Sequence, residues 1–240
     1  PPNSDIYTHG LYRYPHATDA YFMFPMTYQH FREDESAVGN DGLNDTQFCA
    51  SRDGIHWSRP GNRQAWIRPP VDEFVGVMYC GPGMVQDGPR LYHYHSCMPE
   101  WHGWGKPGQH EIVEPPRFSG SVRRVELRLD GYVSAAAENM EGGFVTPPFV
   151  FEGSRLELNV DTGASGRVDV ELVRVHGDPV QGYRIPEFDR ESCDTIVCNE
   201  TRRIVTWNGN SDVSPLAGVP IRMHVRMRRA NLYAFQFVKE

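Results

Sequence analysis

The segment Leu91-Tyr92-His93-Tyr94-His95 places imidazoles and phenols at every second position. In an extended strand successive side chains point to opposite faces, so His93 and His95 share one face while Tyr92 and Tyr94 share the other. His30, after Tyr28-Gln29, ends a second such strand, and the loop from Pro99 to Pro116 carries Trp101, His102 and Trp104. Aromatic rings that cover C–H faces, beside phenols and neutral imidazoles that hydrogen-bond hydroxyl groups, make up the chemistry of polyol recognition. With His9 and Tyr79 added, the candidate binding set is His9, His30, Tyr79, His93, His95, Trp101 and Trp104. For the loop aromatics, anchoring the loop on itself is an equal alternative. The histidine spacing does not match a metal site, and none is expected.

A second stretch with a chemical look is Ser51-Arg-Asp-Gly-Ile-His-Trp57. An Asp in a tight turn accepts backbone N–H groups, the following Gly takes up positive φ, and the Trp packs its ring between layers. These are fastening roles, so Asp53 is expected to hold a turn rather than to act on a substrate.

The elements that must position these residues are β-strands. Aromatic residues make up 12% of the 240, with 23 Gly and 19 Pro, and apolar stripes of helical spacing are few, which points to an all-β chain rich in turns. A net charge of −7 argues against a nucleic-acid groove. No run approaches the roughly 18 apolar residues of a membrane span, and the N-terminus lacks a signal-peptide layout. The chain opens on Pro1-Pro2 without Met, as expected of a processed or truncated product. Its five cysteines form no C-x-x-C pair; Cys193 and Cys198 are close enough in sequence to bridge, and Cys49 and Cys80 read as buried, inert thiols. Without a strand, Gly-rich loop and helix in series, no nucleotide or redox cofactor is expected.

Composition shifts between residues 118 and 135, giving two expected domains, 1–135 and 136–240. In the second, Leu156–Val160, Val168–Val173 and Ile221–Met227 alternate with period two, and six to eight antiparallel strands packed as a sandwich or jelly roll are the economical arrangement. Asp161, Asp189 and Asp194 there are expected to satisfy turns. In the first domain one plan appears twice: strand, turn, strand, loop, strand, Asp-Gly turn, short strand. It runs from Asp5 through Asp53-Gly54 to Trp57, then from Val77 through Asp130-Gly131 to Tyr132-Val133-Ser134. Repeated four-stranded units of this kind are propeller blades.

The order Asp5-Ile-Tyr, Ser51-Arg-Asp-Gly-Ile-His-Trp, Tyr79 to Gly83 and Leu129-Asp-Gly-Tyr-Val-Ser-Ala resembles the last part of the five-bladed β-propeller glycoside hydrolase-like proteins, relatives of the invertase, levansucrase and arabinofuranosidase group. Phe149 to Val160, Thr206 to Ser214 and Asn231 to Phe237 resemble the β-sandwich that follows that propeller. The resemblance implies an all-β chain in which about two blades precede a sandwich, with the missing blades supplied by an upstream segment or a second chain, because a blade relies on its neighbours for burial.

The resemblance also implies a site at the propeller axis, built from carboxylates on innermost strands, where one group protonates the leaving oxygen and another attacks or activates water. Asp5, heading the first inner strand, is then the best acid candidate, and Glu73, in a loop before the second, is the other. The second inner strand itself carries no acid. The implied function is hydrolysis of a poly- or oligosaccharide. The alternative is a non-catalytic carbohydrate-binding or surface-assembly protein on the same scaffold. Carbohydrate is the expected partner, nucleic acid and membrane are not, and the resemblance places the protein in an extracellular or periplasmic setting.

Overall fold

A computed structural model describes residues 4–30, 43–67, 75–99, 120–175 and 182–239. Among the described residues the regular structure is antiparallel β-strands and short 3-10 turns, without an α-helix. By its contacts the chain divides into two units, Pro1–Leu127 and Arg128–Glu240.

The first unit begins with β1 (Ser4–Thr8), β2 (Tyr12–Arg13), β3 (Tyr21–Met23), β4 (Met26–Gln29), β5 (Leu43–Thr46) and β6 (Cys49–Ser51). The sheet orders β1-β4-β5 and β2-β3-β6 are two halves of one meander, each run of chain being interrupted once. The middle run breaks at Pro25, which has no N–H to give the ladder. Backbone bonds from Phe24 N to His9 O (2.8 Å) and from Gln47 N to Pro25 O (3.0 Å) stitch the halves together. A bridge between Ala50 and Ser58 adds a fourth rung after the Asp53-Gly54 turn.

A second sheet follows from β7 (Val77–Cys80), β8 (Val85–Asp87), β9 (Arg90–Met98) and β10 (Ser121–Arg128), in the order β10-β9-β7 with β8 also on β9. β7 and β8 are one run broken at Gly81-Pro82-Gly83. After β10 the structure departs from the expected plan. Residues 129–132 turn and Tyr132-Val133-Ser134 forms no strand. The next strand, β11 (Ala135–Ala137), pairs instead with the last strand of the second unit.

That unit continues with β12 (Gly142–Val145), β13 (Arg155–Asp161), β14 (Arg167–Arg174), β15 (Tyr183–Arg184), β16 (Asn199–Ile204), β17 (Ile221–Arg228) and β18 (Ala230–Val238). They form two four-stranded sheets, β11-β18-β13-β16 and β12-β17-β14-β15. Alternation decides which side of each is apolar. Leu156, Leu158 and Val160 from one sheet and Val168, Val170, Leu172, Met223 and Val225 from the other belong to a single buried cluster. Each such side chain contributes about 1.5–3 kcal/mol through burial. Trp207 joins them, 2% exposed, its indole N–H donating to Val170 O at 3.1 Å.

None of the five cysteines takes part in a disulfide, so Cys193 and Cys198 do not bridge. The chain between them is tied to different partners. Cys193 bridges Trp207 and its Sγ accepts from Val170 N (3.3 Å), Ile196 bridges Val168, and the Cys198 carbonyl accepts from Thr162 N (2.9 Å).

Candidate functional site

Register on β1, β4 and β5 sorts the polar residues of the first sheet onto two faces. Asp5 pairs with Tyr28 and Tyr28 with Asn44; one step along, Ile6 pairs with Thr27 and Thr27 with Asp45. Directly paired residues of antiparallel strands share a face, and neighbours along a strand do not. Asp5, Tyr28 and Asn44 therefore lie on one face, and Thr27 and Asp45 on the other.

On the first face His30 Nε2 lies 2.8 Å from Asp5 Oδ2, and the His30 ring meets Tyr28 edge-on at 4.3 Å between centroids. The Asp5 side chain is 70% exposed and that of His30 27% exposed. Two residues singled out from the sequence are thus brought together as an open acid–imidazole pair with an aromatic floor.

Asp45, on the opposite face, is a residue that sequence reasoning missed. Gln29 Nε2 donates to its Oδ2 at 3.0 Å, while its Oδ1 and the neighbouring Thr27 Oγ1 are enclosed with no hydrogen-bond partner among the described residues. Burial pushes the Asp45 carboxyl above the usual carboxylate range, and hydrogen bonds from the Gln29 and Gln47 amides oppose the shift less strongly. A carboxyl whose pKa is raised by burial retains its proton to higher pH than a solvated one. The only signal in the sequence is a carboxylate inside a short strand, Leu43-Asn-Asp-Thr46, where side chains normally need partners.

The other predicted binders are dispersed. His93 is fully buried, its ring packed against Phe24, Trp66 and Tyr12 with centroids 4.9, 5.3 and 6.1 Å away. Burial lowers its pKa to about 4, so the ring is neutral at physiological pH. His95, 6% exposed, sits opposite Cys80 on the same inward face, and burial lowers its pKa too, ahead of the nearby Arg123. Neither histidine presents an open face to a solute. Tyr79 is half-buried; burial first, and then the neighbouring Tyr7 hydroxyl, raise its pKa. His9 is exposed and its Nδ1 accepts from Leu11 N at 3.2 Å, a local turn contact. Glu73, Trp101 and Trp104 lie outside the described residues.

Asp53 fastens its turn. Its Oδ1 accepts from Ile55 N (2.8 Å) and His56 N (2.7 Å), and Ser51 Oγ accepts from Gly54 N (2.8 Å). Its Oδ2 meets His56 Nδ1 at 2.7 Å, and that contact, with the two backbone donors behind it, holds the carboxyl well below its ordinary pKa. Trp57, half-buried, closes the turn by donating its indole N–H to Gly54 O at 3.2 Å. In the second unit Asp161, Asp189 and Asp194 likewise accept backbone N–H groups, from Gly163, Ser192 and Gly209, each at 2.8 Å.

No protein-family model matches the chain, and no curated protein or solved structure shows a significant match to it.

Proposed function

We propose that the protein is carbohydrate-active, a glycoside hydrolase acting on a poly- or oligosaccharide, with its first unit forming blades of a five-bladed propeller and its second a β-sandwich. The meander closed by the Ser51–Trp57 turn supports the blade reading, and the core shared by two four-stranded sheets supports the sandwich. Further blades, from elsewhere in the protein or from a second chain, would complete the propeller. The resemblance to secreted polysaccharide-degrading proteins favours an extracellular or periplasmic setting.

Asp45 carries the catalytic part of this reading. Its raised pKa suits a group that protonates a leaving glycosidic oxygen, and the Gln29 amide orients it. Hydrolysis needs a second carboxyl across the scissile bond. Asp5 lies on the other face of the sheet, so the partner comes from another segment, for which Glu73 is the sequence candidate. Asp5 and His30, paired on that other face, then take no part in breaking the bond.

That separation of Asp5 from Asp45 also favours a second reading, a carbohydrate-binding protein that keeps the scaffold without a full acid pair. A panel of aryl glycosides of common pentoses and hexoses, assayed with the intact protein, decides between them. Turnover that is lost in Asp45→Asn and kept in Asp5→Asn supports hydrolysis as described. Sugar binding without turnover of any panel member replaces it with the binding reading.

A further inference from the structure

We propose that the outer face of β14 and β17 in the second unit is a binding site for one neutral sugar residue, independent of any chemistry at Asp45. The cross-strand pairs Asp169–Arg226 and Glu171–His224 lie side by side there. Their chain neighbours Val168, Val170, Leu172 and Val225 are buried in the core, so these four polar residues face the opposite way. Arg184, Arg190 and Glu191, from the segment that packs back beside β14, wall off a concavity of about 270 Å³. That is slightly below the roughly 300 Å³ at which pockets for drug-sized ligands begin, and it fits a single ring.

The polar groups are fixed before any ligand arrives. Asp169 is 8% exposed and accepts from Thr195 Oγ1 at 2.7 Å. Glu141 at the rim gathers Arg167 (3.2 Å), Arg190 (3.4 Å) and Arg226 (3.5 Å), and Arg184 is tied to Asp189 (2.8 Å). His224 Nδ1 lies 3.5 Å from Glu171 Oε2, while its Nε2 is enclosed and has no partner among the described residues. At β12, Gly143 pairs with Arg226, and a Cβ there would come within 2.3 Å of Val225 O; this edge stays without a side chain.

The concavity is lined by three carboxylates and three guanidinium groups, with a histidine between them. An anion would meet Asp169 and Glu171, and a cation would meet the arginines. A hydroxyl group satisfies both sets at once, because it donates to a carboxylate and accepts from a guanidinium. Several fixed donors and acceptors a few ångströms apart match the vicinal hydroxyls of a sugar ring. Among the described residues the lining has no phenyl, phenol or indole ring to stack on one, so affinity is expected in the millimolar range.

Amide NMR spectra of the intact protein, titrated with D-galactose, D-mannose, D-xylose and L-arabinose to about 50 mM, test this site; D-glucosamine and D-glucuronate serve as charged controls. The expected result is saturable shifts at Asp169, Glu171, His224 and Arg226 for at least one neutral sugar. Glu171→Ala, and separately the more exposed Glu191→Ala, should each weaken them at least about tenfold while the Trp207 indole resonance stays in place. Shifts confined to the first unit, tighter binding of either charged control, or unchanged affinity in both variants overturns the proposal. Second-unit shifts without turnover of any aryl glycoside uphold this site while the hydrolase reading fails.

Discussion

At the scale of single residues, Asp45 and Asp53 show how environment divides two carboxylates of the first unit. Asp53 is surrounded by donors and is held ionised; Asp45 is desolvated and under-donated, and its proton is retained to higher pH. If Asp45 is the proton donor, kcat falls as pH rises through its pKa. Gln29→Leu removes a hydrogen bond that lowers that pKa, so the alkaline limb of the kcat–pH profile should move upward; an unmoved limb would separate Asp45 from the proton transfer. Asp5 and His30 were legible from residue type and strand position. Asp45 was not, because its meaning depends on Thr27 and Gln29 of the neighbouring strand β4, which no local pattern announces.

At the scale of elements, legibility followed the burial pattern. β13, β14 and β17 each turn one alternating apolar face fully into the core, and Leu156–Val160, Val168–Val173 and Ile221–Met227 match Arg155–Asp161, Arg167–Arg174 and Ile221–Arg228 to within a residue at either end. The short β11 and β12 and the mostly exposed β16 escaped notice because a strand that buries little carries little alternation. The Ser51–Trp57 turn was readable because Asp-Gly chemistry is local. Gly54 sits at φ +74, so Gly54→Val should destabilise the first unit by about 1–2 kcal/mol, measured as a lower denaturation midpoint. In the second unit Leu158 is fully buried, and Leu158→Ala should cost about 2–5 kcal/mol in the same measurement.

At the scale of the molecule, the two units carry different buried chemistry and should answer acid differently. His93 is kept neutral in the first unit, its pKa lowered from 6.5 to about 4 by burial. A depressed histidine pKa contributes stability that is whole above the unfolded value and is lost as pH falls from about 6.5 towards 4, a loss of roughly 3 kcal/mol at about 1.4 kcal/mol per pH unit. Among the described residues of the second unit, none of the buried ones is a histidine. Limited proteolysis between pH 7 and pH 4.5 should therefore open the first unit before the second, and His93→Phe should flatten that dependence.

The measurement closest to the central claim compares wild type with Asp45→Asn at pH 7 for both glycoside turnover and melting temperature. Asp45 has a raised folded-state pKa, so its contribution to stability is fullest in acid and is lost as pH rises through that value. Removing the ionisable group should leave the melting temperature equal or higher while kcat falls at least about 100-fold. A lower melting temperature with turnover retained would show that Asp45 holds the sheet together and that the proton comes from another residue.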